Sequence, residues 1–139
     1  MTAEYVSAPE HPARRHDRLA NRCVLALLRS PAHGLLDPGL CELCYRARRS
    51  GKRIALPVMY AETDRRLVIL VGNAPAKTWW RNFRTPRPVQ VRRGGVVGPG
   101  VARLLHPGDT GYLPAVEAYD NRHGIRPVPT DRLIVVDLS

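Results

Sequence analysis

The chain is short of aromatic residues, lysine and acid. Phe, Trp and Tyr make up 6% of its 139 residues, and Phe83 is the single phenylalanine. Single-stranded nucleic acids stack on surfaces where aromatic and basic residues alternate, and this scarcity argues against one. We expect no nucleic acid partner. Three cysteines cannot supply a disulfide framework, which suits a reducing, cytoplasmic setting. Residues Met1 to Glu10 hold no apolar run, and the first such run, Cys23–Leu28, is too short for a secretory signal or a membrane span. The histidines show no metal-ligand spacing, so no metal is expected. Acid is scarce as well: 12 Asp and Glu face 22 Lys and Arg, a formal net charge of +10. All but Lys52 and Lys77 of these cations are arginine. Apolar residues are nonetheless 44% of the chain, ordinary for a packed domain, so the charge is not a mark of disorder. Charge alone admits nucleic acid, a membrane surface, or a small molecule rich in phosphate or carboxylate as an anionic partner, and the scarcity of aromatics weighs against the first.

Residues 1–15 read as a loose, polar arm and 16–139 as one domain. Asp17–Arg29 has apolar residues at helical spacing behind a capping aspartate, and the arginines of this region could also rest on an anionic membrane. Ser30–Gly39, with two prolines and two glycines, is a connection. Leu40–Arg46 and Arg53–Tyr60 form a hairpin around a Ser-Gly turn, and Leu67–Val71 is a strand buried on both faces. Thr78 caps a short helix at Trp79–Phe83, which the following prolines stop. Pro88–Arg93 and Val96–His106 flank Gly94-Gly95, then come a helix at Asp109–Arg122 and a closing strand at Arg132–Leu138. The order describes a small α+β domain built on an antiparallel β-barrel.

Three constellations carry chemistry, each with a plainer reading beside it. Arg46–Arg53 places five cations around a tight turn with Ser50, and guanidiniums beside a turn bind phosphate or carboxylate. The plainer reading is a solvated hairpin tip. Asn73–Asn82 is a loop running into a helix N-terminus, an anion site to which Lys77 adds charge, with Trp79 and Trp80 either stacking on a planar ring or anchoring the core. Tyr112 and Tyr119 lie seven residues apart on one helical face, either as a pocket wall that handles a proton or as amphipathic packing. Cys41 and Cys44 fall on opposite faces of a strand and read as structural.

Ala47-Arg48-Arg49-Ser50-Gly51-Lys52-Arg53 followed by Leu56-Pro57-Val58-Met59-Tyr60 resembles the G-R-x-S-G-x-x-R…P-L/V-x-Y segment of the deazaflavin-dependent nitroreductase family. Lys77–Phe83 and Pro86–Val91 resemble the same family's W-x-x-N-L-x-x-x-P-x-V-x-V stretch. Tyr112–Tyr119 and Arg132–Val136 look like its final helix and strand. Ala47 stands where the family usually has Gly, and Asn73-Ala74 where Gly-Gly is frequent. The resemblance implies an FMN-binding type of split β-barrel, with an N-terminal helix, a short helix after the third strand and a helix before the last. It also implies coenzyme F-420, whose phosphodiester and polyglutamate tail are anionic, with FMN as the alternative. Arg48, Arg49, Ser50, Lys52, Asn73, Lys77, Thr78 and Asn82 would then hold the cofactor, with Pro57, Met59, Trp79 and Trp80 bordering its ring. Tyr112 and Tyr119 would orient a hydrophobic conjugated acceptor, such as a quinone, enone or nitro compound. The family's barrels also pair as homodimers, and a non-catalytic barrel that binds a cofactor or lipid is the other outcome.

Overall fold

In a computed structural model the described residues are 12–35, 38–72 and 78–139. They form two helices, α1 (Pro12–Arg29) and α2 (Tyr112–His123), and six strands. The strands are β1 (Leu40–Arg46), β2 (Arg53–Thr63), β3 (Arg66–Val71), β4 (Arg87–Arg93), β5 (Val96–Leu105) and β6 (Arg132–Leu138). All neighbours are antiparallel, and the order β1-β2-β3-β6-β5-β4 closes on itself as a barrel. The expected α+β barrel is therefore the observed one. α1 starts ahead of Asp17, and β2 runs on to Thr63 because Asp64 and Arg65 adopt left-handed backbone, φ 46° and 67°, and turn the chain directly into β3.

Alternation along the strands divides the apolar residues between two layers. Leu43, Leu56, Ile69, Val91 and Ile134 point into the lumen, in register across neighbouring strands. On the outer face Val68, Leu133 and Val135 pack beneath Tyr112, Val116 and Tyr119 of α2. This is why Leu67, Val68 and Ile69, consecutive on β3, are all fully buried. One mouth of the lumen is closed by the 3-10 helix Trp79–Phe83, whose Phe83 is fully buried and meets the Tyr45 ring edge-on at 4.8 Å.

Two lumen-facing glycines of β5 differ in what surrounds them. A Cβ at Gly100 would lie 2.8 Å from Val136 Cγ1 and 3.0 Å from the Asp137 carbonyl oxygen, whereas one at Gly98 would meet nothing within 4 Å. Gly100→Ala is expected to lower unfolding free energy by about 2 kcal/mol through overpacking. Gly98→Ala should be neutral or raise it by about 0.5 kcal/mol through the unfolded chain. Urea denaturation of the two variants checks the contrast.

Candidate functional site

The turn joining β1 to β2 is built from its own backbone. The Ala47 amide donates to the Lys52 carbonyl, the Gly51 amide to the Ala47 carbonyl, and the Lys52 amide to Ser50 Oγ. Gly51 holds φ 70°, a left-handed value that favours glycine. The Arg48 amide donates to Asn82 Oδ1 at 2.8 Å, and Asn82 Nδ2 donates to the Trp79 carbonyl at 2.9 Å. Asn82 is 3% exposed, so one buried amide locks the turn to the helix that plugs the barrel. These bonds use four of the turn's amides. What the turn presents outward is therefore side chains: the guanidiniums of Arg48 and Arg49, the Lys52 ammonium, and the hydroxyl hydrogen of Ser50, whose oxygen is already an acceptor.

These three cations have no carboxylate partner among the described residues. Arg48 Nη2 donates to Thr85 Oγ1, a neutral contact. Elsewhere the acids take up the arginines: Asp137 with Arg66, Glu62 with Arg93, Asp109 with Arg103 and Asp120 with Arg126. On the outward face of β2, Pro57 is half-buried opposite Glu42, and Met59 is 36% exposed opposite Leu40, at the end of the strand away from the turn. Thr78 precedes the 3-10 helix without capping it, and its Oγ1 is buried with no partner among the described residues. Asn73 and Lys77 lie outside the described residues.

Both indoles are in the core. Trp79 and Trp80 are 5% and 6% exposed, because the 3-10 helix lies across the barrel mouth and not along its wall. Trp79 meets Phe83 edge-on, while the guanidiniums of Arg81, Arg84 and Arg132 sit 4.8–5.6 Å from the centre of the Trp80 ring. Neither indole offers an open face. Tyr112 and Tyr119 are 7% and 4% exposed beneath α2. The Tyr112 hydroxyl is buried without a partner among the described residues, and burial pushes the Tyr119 phenol up. Tyr119 packs on His123, whose Nε2 lies 2.8 Å from the Tyr60 carbonyl oxygen. The amphipathic packing of α2 accounts for the seven-residue spacing.

A buried carboxylate escaped the sequence reading. Glu42, 5% exposed on the outer face of β1, takes two hydrogen bonds from Arg29 at the end of α1, at 3.1 and 2.5 Å, and Arg92 Nε lies 3.4 Å away. The pairing with Glu42 raises the Arg29 pKa. An outward Glu in an alternating strand carries no mark of burial; only the docking of α1 covers it. Together with Arg53 these groups border a recess of about 420 Å³. Among the described residues no group of His, Cys, Asp and Glu could hold a metal ion, and no helix is long and apolar enough to cross a membrane.

Asn82→Ala would strand the Arg48 amide and the Trp79 carbonyl, and is expected to cost about 2 kcal/mol in urea denaturation. It should also speed hydrogen exchange at Arg48. Cys23 is exposed while Cys41 and Cys44 are buried, so a thiol reagent near neutral pH should label Cys23 alone in the native protein. Burial pushes the Cys41 thiol up to about 12 from an ordinary 9.0. Its raised value favours the neutral thiol in the fold, so its contribution is intact below about pH 9 and is lost as pH rises toward 12. A Cys41→Ala variant should show a flatter loss of stability across that window.

No family model matches the chain, and no curated protein matches it. Solved structures do. A domain-swapped dimer is 20% identical with a TM-score of 0.53, covering 91% of this chain and 99% of its own. The heme storage protein HutZ from Vibrio cholerae is 9% identical with a TM-score of 0.57, over 74% and 83% of the two chains. An F-420-H2 dependent reductase (FDR-A) is 22% identical with a TM-score of 0.52, over 73% and 96%. The chain carries the small α+β split β-barrel fold that these structures share, the fold its β1–β2 motif implied.

Proposed function

We propose that this protein is an oxidoreductase that binds coenzyme F-420 at the β1–β2 turn and reduces a hydrophobic conjugated acceptor such as a quinone, enone or nitro compound. The observation that carries the reading is the unpaired charge of that turn. Arg48, Arg49 and Lys52 are clustered with no carboxylate partner among the described residues, and they stand on a backbone fixed by Gly51 and Asn82. Cations held on a rigid turn meet phosphate and carboxylate oxygens at little ordering cost, which suits an anionic tail. The donor hydrogen of Ser50 on the same turn fits the same oxygens. Pro57, paired with Glu42 midway along β1, offers apolar surface for a planar ring, whereas Met59 pairs with Leu40 at the far end of the strand and is too distant from the turn to border it.

The bound coenzyme would supply a hydride, the acceptor taking up a proton to complete the two-electron reduction. The chain's own part is then to position and to exclude water, with the two indoles supporting the turn from the core and not stacking on the ring. The similar F-420-H2 dependent reductase supports this choice of coenzyme, and the similar domain-swapped dimer supports self-association as a homodimer. Light scattering reads the latter as twice the 15.5 kDa chain mass.

Titration with F-420, FMN, FAD and haem side by side, followed by tryptophan fluorescence, tests the assignment. F-420 should bind most tightly, and Arg49→Ala with Lys52→Ala together should weaken it by about tenfold or more through lost charge-assisted bonds. Cys41→Ala should leave binding unchanged. Preferential binding of FMN, FAD or haem, or equal loss in the two variants, sinks the reading.

A further inference from the structure

A cavity of about 730 Å³ opens at the other mouth of the barrel. It lies roughly 20 Å from the cationic turn, the length of the seven-residue β1 at about 3.4 Å per residue. The register explains why it exists. The lumen-facing positions that line it are Tyr60 on β2, Leu138 on β6 and Gly98 on β5, where Gly98 pairs with Val91 and Leu138 with Gly100. Gly100 must be glycine because Val136 and Asp137 leave no room for a Cβ, but nothing crowds Gly98 and its φ is not left-handed. Neither packing nor backbone conformation demands glycine there. The missing side chain is space that the lumen keeps open, and Leu28 of α1 and Leu40 extend its apolar wall outward.

The polar groups on the rim are few, and their charges are distinct. Arg93 and Glu62 pair with each other across the mouth, from β4 to β2, and cancel. The Tyr60 phenol is pushed up by burial and stays a protonated donor. Arg65 has no ion-pair partner among the described residues, and it occupies a left-handed position, φ 67°, that a two-residue hairpin normally gives to glycine or asparagine. A long side chain in that conformation costs stability, and here it sets an unneutralised guanidinium on the lip of an apolar cavity.

We propose that this barrel mouth is a binding site for a single-chain amphiphile, its apolar chain entering the lumen beside Gly98 and its one anionic end meeting Arg65. The volume is within the ~300–1,000 Å³ range of small-molecule sites, and apolar walls with few polar groups are their usual lining. The site is independent of the coenzyme reading, since it shares no residue with the β1–β2 turn.

The test uses the whole chain and dansyl-labelled undecanoic acid as the fluorescent probe, displaced by dodecanoate, dodecyl phosphate or dodecanol. Both anions should compete about tenfold better than the alcohol, the worth of one charge-assisted contact, and whichever competes better identifies the headgroup. Gly98→Leu should stay folded and lose probe binding while F-420 titration is unchanged. Arg65→Gly should raise Tm by relieving the backbone, yet abolish the preference for anions. A purely structural arginine would not give those opposite signs. Probe binding that survives Gly98→Leu, an alcohol that competes as well as the acids, or an Arg65→Gly variant that keeps the anion preference overturns the proposal.

Discussion

Closing six strands into a barrel leaves a lumen only a few side chains wide, and each layer along it has to be filled, capped or left open. Most of what distinguishes this molecule follows from that constraint. Inner layers are filled by cross-strand pairs such as Leu43 with Leu56 and Ile69 with Ile134. One mouth is capped by the 3-10 helix, which drives Phe83 and Trp79 downward and leaves Trp80 at the rim beneath three guanidiniums. At the other mouth β5 places Gly98 and the lumen stays open. The same cap orients the candidate coenzyme site, because Asn82 can bind the Arg48 amide only while its helix is seated in the barrel.

Charge is distributed unevenly over this frame. Acids on β2, β6 and α2 are paired with arginines, and Glu42 is gripped by Arg29 and Arg92. The β1–β2 turn lacks any such acid among the described residues. The acids that are present are spent on pairs elsewhere and on docking α1, so part of the +10 excess stands at this turn, where an anionic tail would lie. A uniform basic surface would favour nonspecific polyanions; a fixed, local one favours a ligand with anions at defined spacing.

The strands were legible because alternation and β-branched runs are short-range signals. Leu40–Arg46, Trp79–Phe83 and Arg132–Leu138 could be bounded to the residue. The end of β2 was not, since Asp64-Arg65 is no common turn pair and its left-handed backbone is imposed by the pairing of Thr63 with Arg66. Whether Trp79 and Trp80 stacked on a ring or anchored the core was open in the sequence, and the short 3-10 helix laid across the barrel mouth buries both. Tyr112 and Tyr119 were correctly set on one face, yet whether that face met a pocket or the outer sheet depended on how α2 docked.

The sequence by itself determined the elements, the antiparallel barrel and the cation-bearing turn, since periodicity, turn residues and local composition act within a few residues of one another. Only the tertiary structure decided which charges were already satisfied, which aromatic rings were spent on the core, and that a cavity opens at the far mouth. Those properties depend on contacts between residues distant in the chain. Arg29 with Glu42 and Arg48 with Asn82 are partners that no local pattern announces, and Gly98 and Leu138 come to line one cavity from strands far apart in the chain.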